Sequence, residues 1–366
     1  MSRRVSLLIA ALFGWSAAAN LFAQSPVKPA AASPSPQISP PPTTKSLVDS
    51  MDSADLKEAI QLLKSNYIKP EALNETELSR ATFEGVLTRL GRGVILLPDS
   101  ASPATGPDNP FFGEILEGHI GYLRLGALTR SNLDALDANL KTFAAKKVDA
   151  LVIDLRASTA TNDFATASEF AKRFCPNGKP LFSLRKTTAK QVRTFTSDRD
   201  PSYEGLTILL ADGDTAGAAE AIGGAIHLYD KALIIGQPTA GRAVEYSDLK
   251  LPSGKVLRVA VGEAVLPEDR LLFPGGLKPD VAVEMPAADK REVFQQSREK
   301  GMTPFVVENE RPHLNEAALI SGKNPELEAM EVAQRRGRGP EKTTVRDAVL
   351  QRALDLVTSI AIFQKR

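Results

Sequence analysis

Residues 206–224 read LTILLADGDTAGAAEAIGG. An apolar run, 206–211, leads into a polar turn and then into small residues. The pattern predicts a strand, a sharp turn and a helix. Small residues let backbone and ligand approach closely, and this arrangement is a common way to hold a nucleophile. Yet no Ser or Cys stands in the turn. The stretch is an active site, a former active site or ordinary packing.

The surroundings fix the fold class. Strands are predicted over 120–125, 150–155 and 232–235. The run at 150–155 is almost wholly apolar, as suits a central strand covered on both faces. Between the first two, Leu133, Leu136, Leu140 and Phe143 fall on one helical face. Strands alternating with helices make a layered α/β core. Residues 256–266 add strand material. Residues 347–363 close the chain as a helix with Val349, Leu350, Ala353, Leu354 and Val357 on one face. No solenoid-type repeat is present.

Upstream, Ser53 is positioned to cap a helix carrying Leu56, Ile60 and Leu63. Asn74 with Glu77 forms a capping-box pattern, followed by Phe83, Val86, Leu87 and Leu90 at helical spacing. Residues 98–110 read as a loop. The start of the chain has Arg3 and Arg4, an apolar run over 5–19 and small residues to Ala23. This is a secretory-signal pattern, and the run is short for a membrane span. Residues 25–45 are rich in Pro, Ser and Ala, the composition of a disordered tether. The expected organisation is therefore a signal at 1–23, a linker at 24–50, a helical segment at 51–97, an α/β core at 111–287 and an extension at 288–366. The mature protein is expected outside the cytoplasm, periplasmic or secreted, with no stable membrane span after signal cleavage. Anchoring in the inner membrane by an uncleaved signal is the alternative.

Composition sets further bounds. Lys+Arg 45 against Asp+Glu 44 leaves a formal charge of +1, which gives no general attraction to nucleic acid. The cluster Arg335, Arg336 and Arg338 reads as a solvated loop. Cys175 is the sole cysteine, so no intramolecular disulfide can form. His119, His227 and His313 show no ligand spacing, so neither a metal nor a cofactor is expected.

Five segments in order resemble one family, the carboxyl-terminal processing (tail-specific) serine peptidases. They are GYLRL at 121–125, LVIDLR at 151–156, IIGQPTAGRAVEY at 234–246, LPSGKVLRV at 251–259 and GGLKPDVAVEM at 275–285. The helices from Leu56 to Leu90 resemble the family's N-terminal helical segment. The resemblance implies a ClpP/crotonase-like layered α/β core. It also implies a PDZ domain before the GYLRL strand, but Leu90 and Gly121 are too close to enclose one.

The resemblance implies a Ser–Lys dyad as well, in which a lysine deprotonates the serine. Aligned without a gap, the family's S-A-S-A-S-E falls on 215–220, which places Gly217 at the nucleophile position. The lysine position is Arg242, at the family's own separation, and arginine does not deprotonate in proteins. The glutamine that assists the lysine falls on Tyr246. The glycine pair of the oxyanion hole is replaced by Ala157, Ser158, Thr159, Ala160 and Thr161. The degenerate dyad positions are thus Gly217, Arg242 and Tyr246, and the loss is fourfold at matched spacing.

Each remaining candidate has two readings. Thr215 is a weak surrogate nucleophile or an N-cap of the helix. Asp212 and Asp214 are acid–base groups or turn residues. Glu220 is functional or structural. Arg242 binds a carboxylate, a peptide C-terminus included, or forms a solvent-facing ion pair. His227, Ser158 and Cys175 read as packing or surface residues. Three functions follow: an inactive member binding a polypeptide segment or envelope protein beside Gly217 and Arg242; an active serine- or threonine-type peptidase built on Thr215; or a purely structural exported domain.

Overall fold

The computed structural model describes residues 43–98, 110–158, 162–186, 190–229, 232–306 and 345–364. The expected signal, most of the linker, the 99–109 loop, Thr159–Thr161, His313 and the arginines at 335–338 lie outside these residues. The chain divides into two compact units, Met1–Leu78 and Ser79–Arg366.

The first unit contains α1 (Thr44–Asp49), α2 (Ser53–Asn66) and the start of α3 (Glu75–Leu90). Helix α1 occupies the last residues of the expected linker. It is capped locally, with Thr43 Oγ1 accepting the Ser46 N–H at 3.2 Å. The cap of α2 is Asp52 rather than Ser53. Its Oδ1 accepts the N–H groups of Ala54 and Asp55, both at 2.8 Å, and Ser53 becomes the first helical residue. A carboxylate is the better cap because it also meets the positive end of the helix. Asn74 Oδ1 accepts the Glu77 N–H at 2.9 Å, one half of the predicted capping box.

The second unit holds two sheets. Its strands are β1 (Val94–Leu97), β2 (Phe112–Leu116), β3 (Ile120–Arg124), β4 (Ala150–Asp154), β5 (Pro180–Lys186), β6 (Gln191–Thr196), β7 (Leu206–Ala211), β8 (Ala232–Gly236), β9 (Val244–Lys250), β10 (Val256–Leu266), β11 (Arg270–Leu271) and β12 (Val281–Ala282). Its remaining helices are α4 (Arg130–Ala145), α5 (Phe164–Ala171), α6 (Ala218–Leu228), α7 (Ala287–Lys300) and α8 (Ala348–Gln364). One sheet runs β12-β8-β7-β4-β3-β2, parallel except for β2. The other is antiparallel, ordered β1-β10-β5-β6, with β9 and β11 also pairing with β10. The end of the expected 51–97 helical segment is therefore strand. Val94–Leu97 alternates poorly, but its backbone pairs with Val256–Val259 of the core.

The parallel sheet is covered on both faces, which explains the apolar runs of its strands. Leu123, Leu151, Ile153 and Leu209 face α4, α5 and α6, where the predicted Leu133, Leu136, Leu140 and Phe143 are all buried. The alternate residues Ile120, Tyr122, Val152, Ile208 and Leu210 face the other way, onto Val293 of α7 and Val349, Leu350 and Leu354 of α8. The described parts of the expected extension, 288–306 and 345–364, thus supply the second layer of the core. Each large apolar side chain buried this way stabilises the fold by about 1.5–3 kcal/mol.

An ionic clasp fixes that layer. Arg156, just after β4, is buried. Its Nε and Nη2 donate to Asp154 at 3.0 and 2.7 Å, and its Nη1 and Nη2 donate to Asp347 at 3.0 and 2.7 Å. Asp347 also accepts the Leu350 N–H at 2.9 Å, so it caps α8. The Tyr122 hydroxyl donates to Asp154 at 2.7 Å. Burial pushes the Tyr122 phenol far up, and the negative Asp154 adds to this. Burial alone would also raise the Asp154 carboxyl. The Arg156 charge and the hydrogen bonds from Arg156 and Tyr122 outweigh it and hold that group below its ordinary range.

Candidate functional site

Strand β7 ends at Ala211, and the next six residues turn the chain into α6. The turn is closed by its own side chains. Asp212 Oδ1 accepts the N–H groups of Asp214 and Thr215, at 3.0 and 3.3 Å. In return Thr215 Oγ1 accepts the Asp212 N–H at 3.2 Å, and it donates to the Leu155 carbonyl at 3.3 Å. Thr215 is fully buried. The hydroxyl therefore does not cap α6, because the N–H it accepts precedes it in the chain. Among the described residues its partners are these backbone groups, with no Lys, His or carboxylate side chain bonded to it. Asp212 and Asp214 act as turn residues that also grip Lys290 of α7, whose Nζ lies 2.5 and 2.6 Å from their Oδ2 atoms.

Gly217 is the N-cap of α6, with φ 65° and ψ −128°. Positive φ of this kind suits glycine and strains other residues. Serine held there would carry backbone strain, as nucleophiles on such turns do. The small residues that follow allow close packing: a Cβ on Gly224 would stand 2.8 Å from a Leu266 methyl.

Glu220 ties two turns together. It is completely buried. Its carboxyl group accepts the Gly217 N–H at 3.0 Å, the Thr239 hydroxyl at 2.5 Å, the Gly241 N–H at 2.6 Å and the Arg242 N–H at 2.7 Å. All its acceptor capacity toward the two turns is committed, so its role is structural. It clips the Gly217 turn to the 239–242 turn. Thr239 extends the clip by accepting the Leu277 N–H at 2.8 Å.

Around the second turn the charge is positive. The Arg242 side chain is half-buried, and among the described residues it has no hydrogen bond or ion pair. Tyr246 donates to the Arg92 carbonyl at 2.8 Å. The Arg92 guanidinium donates to the carbonyls of Ala240 and, at 3.4 Å, Pro274. Burial raises the Tyr246 phenol against the lowering pull of Arg242, Arg258 and Arg92. Ser158 is buried, its hydroxyl has no partner among the described residues, and its N–H donates to the same Leu155 carbonyl that Thr215 uses.

The other candidates lie apart. His227, at the end of α6, has Nδ1 3.0 Å from the Ala232 carbonyl and 3.7 Å from Asp280. His119 Nδ1 is 2.7 Å from the Glu117 carbonyl. Cys175 is buried among apolar side chains of the core. Among the described residues no group of three or more His, Cys, Asp or Glu side chains could hold a metal ion. Sequence reasoning missed Lys290 and Arg92. Lys290 sits in a highly charged helix without a motif. Arg92 is marked only by its flanking glycines, Gly91 and Gly93, which signal a tight turn.

Residues 119–283 match the family described as Peptidase family S41. The carboxyl-terminal-processing peptidase 1 of Arabidopsis thaliana chloroplasts is 28% identical over 174 residues, covering 47% of this chain and 35% of that protein. The carboxy-terminal-processing protease of Bartonella bacilliformis is 28% identical over 180 residues, covering 48% and 41%. The carboxy-terminal processing protease CtpA of Bacillus subtilis is 22% identical over 244 residues, covering 64% and 51%. The chain thus spans about half or less of the length of these relatives. Among solved structures, a photosystem II D1 C-terminal processing protease aligns with TM-score 0.40 and 20% identity, over 52% of this chain and 47% of that one. A lipoprotein from Streptococcus agalactiae aligns with TM-score 0.43 and 13% identity, over 66% and 94%.

Proposed function

Residues 119–283 match peptidase family S41, and the resemblance puts glycine and arginine where the family's dyad falls; we propose that this protein binds an extended polypeptide segment beside the Gly217 turn and does not cleave it. The observation that carries this reading is the Glu220 clip. A full set of hydrogen bonds holds the nucleophile and base positions side by side, although neither position holds its reagent. Gly217 has no side chain to attack with, and Arg242 cannot serve as a base. The buried Thr215 hydroxyl supports the same reading, since it is committed to backbone groups. Extended segments bind such frames by adding main-chain hydrogen bonds.

The signal pattern at the start of the chain supports action outside the cytoplasm, on a polypeptide or envelope-protein partner. No helix among the described residues is long and apolar enough to cross a membrane. The test is to incubate the purified mature protein with unfolded casein and map fragments by mass spectrometry while measuring binding by light scattering or pull-down. Binding without new fragments is expected. Fragments that vanish in Thr215→Ala or Ser158→Ala would sink the non-cleaving reading.

A further inference from the structure

One continuous segment, 277–290, touches both turns of the site. At its start the Leu277 N–H donates to Thr239 Oγ1 at 2.8 Å, and the Thr239 hydroxyl donates to Glu220. At its end Lys290 of α7, itself buried, donates to Asp212 Oδ2 and Asp214 Oδ2 at 2.5 and 2.6 Å. Asp212 is the pivot of the Gly217 turn. Its other oxygen accepts the N–H groups of Asp214 and Thr215, and the Thr215 carbonyl accepts the Ala240 N–H at 2.9 Å. A polar chain therefore runs from α7 through the Gly217 turn to the 239–242 turn. Glu220 clips the two turns to each other, and the 277–290 segment ties both to α7. Helix α7 is held chiefly by polar contacts. Val293 is the one apolar side chain that it buries fully, beside Lys290 and Ser297. Phe294 stacks on Arg124, whose guanidinium carbon lies 4.6 Å from the ring centroid, and Arg124 Nη2 donates to Ser297 Oγ at 3.0 Å. Past the helix end, Glu114 accepts the Met302 N–H at 2.6 Å. An element with so little buried apolar surface opens locally at lower cost than strands β4 and β7, which bury nearly every side chain.

We infer that Lys290 is a latch through which α7 sets the shape of the Gly217 turn, and that opening of α7 releases the turn while the sheet stays folded. Lys290 is a positioning residue, acting through Asp212 and Asp214. While it is docked, the Asp212 carboxylate has a cation on one oxygen and two turn N–H groups on the other. When α7 opens, Asp212 and Asp214 lose their shared counter-ion, the two carboxylates repel each other and the turn loosens. Helix α7 thus becomes a control element for the site. That this control reaches polypeptide binding rests on the reading given above; the latch itself does not.

Hydrogen exchange of the purified mature protein, read by mass spectrometry, tests the latch without any ligand. Lys290→Met nearly keeps the length of the side chain and removes its charge. Amide exchange at 212–219 and along α7 is expected to quicken about tenfold, the equivalent of one charge-assisted contact, while β4 and β7 keep their protection. Lys290→Arg should restore the parent rates. Asp214→Asn weakens the latch from its exposed side, where folding is not at risk, and should quicken the same segments several-fold. Unchanged exchange at 212–219 in both Lys290→Met and Asp214→Asn would overturn the latch. So would exchange that rises equally in the turn, β4 and β7, since that marks a general loss of stability. A second arm adds unfolded casein. Bound casein should slow exchange along α7 in the parent but not in Lys290→Met, because coupling between two sites is reciprocal. Casein that binds without slowing α7 would overturn control of the site. Casein that fails to bind would overturn the polypeptide-binding reading alone, the latch being decided by the first arm.

Discussion

Arg156 and Arg242 make opposite use of the same side chain. Arg156 is buried, with both faces of its fork filled by Asp154 and Asp347. Arg242 lies half-buried on a turn, its backbone held by Glu220 and its guanidinium left without a partner among the described residues. The first arginine joins the strands to the C-terminal layer. The second contributes nothing visible to the fold. The contrast teaches that the same side chain can be locked into the core by two carboxylates or left on a turn with only its backbone engaged.

The sharpest break falls on the clasp. Arg156→Met leaves two buried carboxylates facing each other without a cation. A loss of about 3–5 kcal/mol is expected in urea unfolding. The destabilised state should expose the α8 side of the sheet first, as faster amide exchange in β3 and β4. Stability unchanged within error would show that the clasp is incidental to the packing of α8.

Acid tests the same clasp. The Asp154 carboxyl is held below its usual range in the folded protein, so the folded state binds its proton more weakly than the unfolded chain does. The resulting stability is present above the unfolded value, about pH 3.9, and is lost as pH falls through the folded value. Asp137, held down chiefly by its hydrogen bond from Arg173, acts in the same direction. The melting temperature should be level near neutral pH and decline below about pH 4. Asp154→Asn should lower the plateau and flatten the decline; an unchanged slope would remove Asp154 from the account.

On the site side, Glu220 decides the geometry. Glu220→Gln turns an amide NH2 toward backbone N–H groups that need acceptors. Leaving about two donors unsatisfied should cost about 2–3 kcal/mol. It should also separate the Gly217 and Arg242 turns, and so abolish peptide binding even where the protein stays folded. Retained binding in a folded Glu220→Gln variant would mean the clip does not shape the site.

These asymmetries set what the sequence could reveal. Strands β4 and β7 are legible because burial on both faces writes a continuous apolar run. Strand β6 is not, because QVRTFT exposes nearly every side chain and Val192 is 65% exposed. Helix α7 hides for the same reason, since it buries Lys290 and Ser297 alongside Val293 rather than an apolar stripe. Within the site, spacing locates Gly217 and Arg242, while chain topology alone brings Arg92 to Ala240 and Lys290 to Asp212. Glu220 was visible as a matching letter. Its role follows from the 239–242 turn, whose N–H groups it accepts.

Gly217 offers a smaller perturbation. With φ 65° and ψ −128°, an alanine or serine there should cost about 1–2 kcal/mol in backbone strain. Gly217→Ser puts a hydroxyl at the position that the resemblance assigns to the nucleophile but leaves arginine at the one it assigns to the base. Without a base it should show no cleavage of unfolded casein. Measurable turnover in this single variant would mean that some other group accepts the proton.

The weakest expected effect is the most diagnostic. Arg242→Gln removes a charge that no described residue pairs with, so unfolding free energy should change by no more than about 0.5 kcal/mol. The same substitution at Arg156 would leave its two buried aspartates uncompensated. If Arg242→Gln proved as damaging as Arg156→Met, Arg242 would be a structural residue like its counterpart, and its unpaired state would need an explanation within the fold. If it raised stability slightly, the side chain would be held at a cost to the free protein.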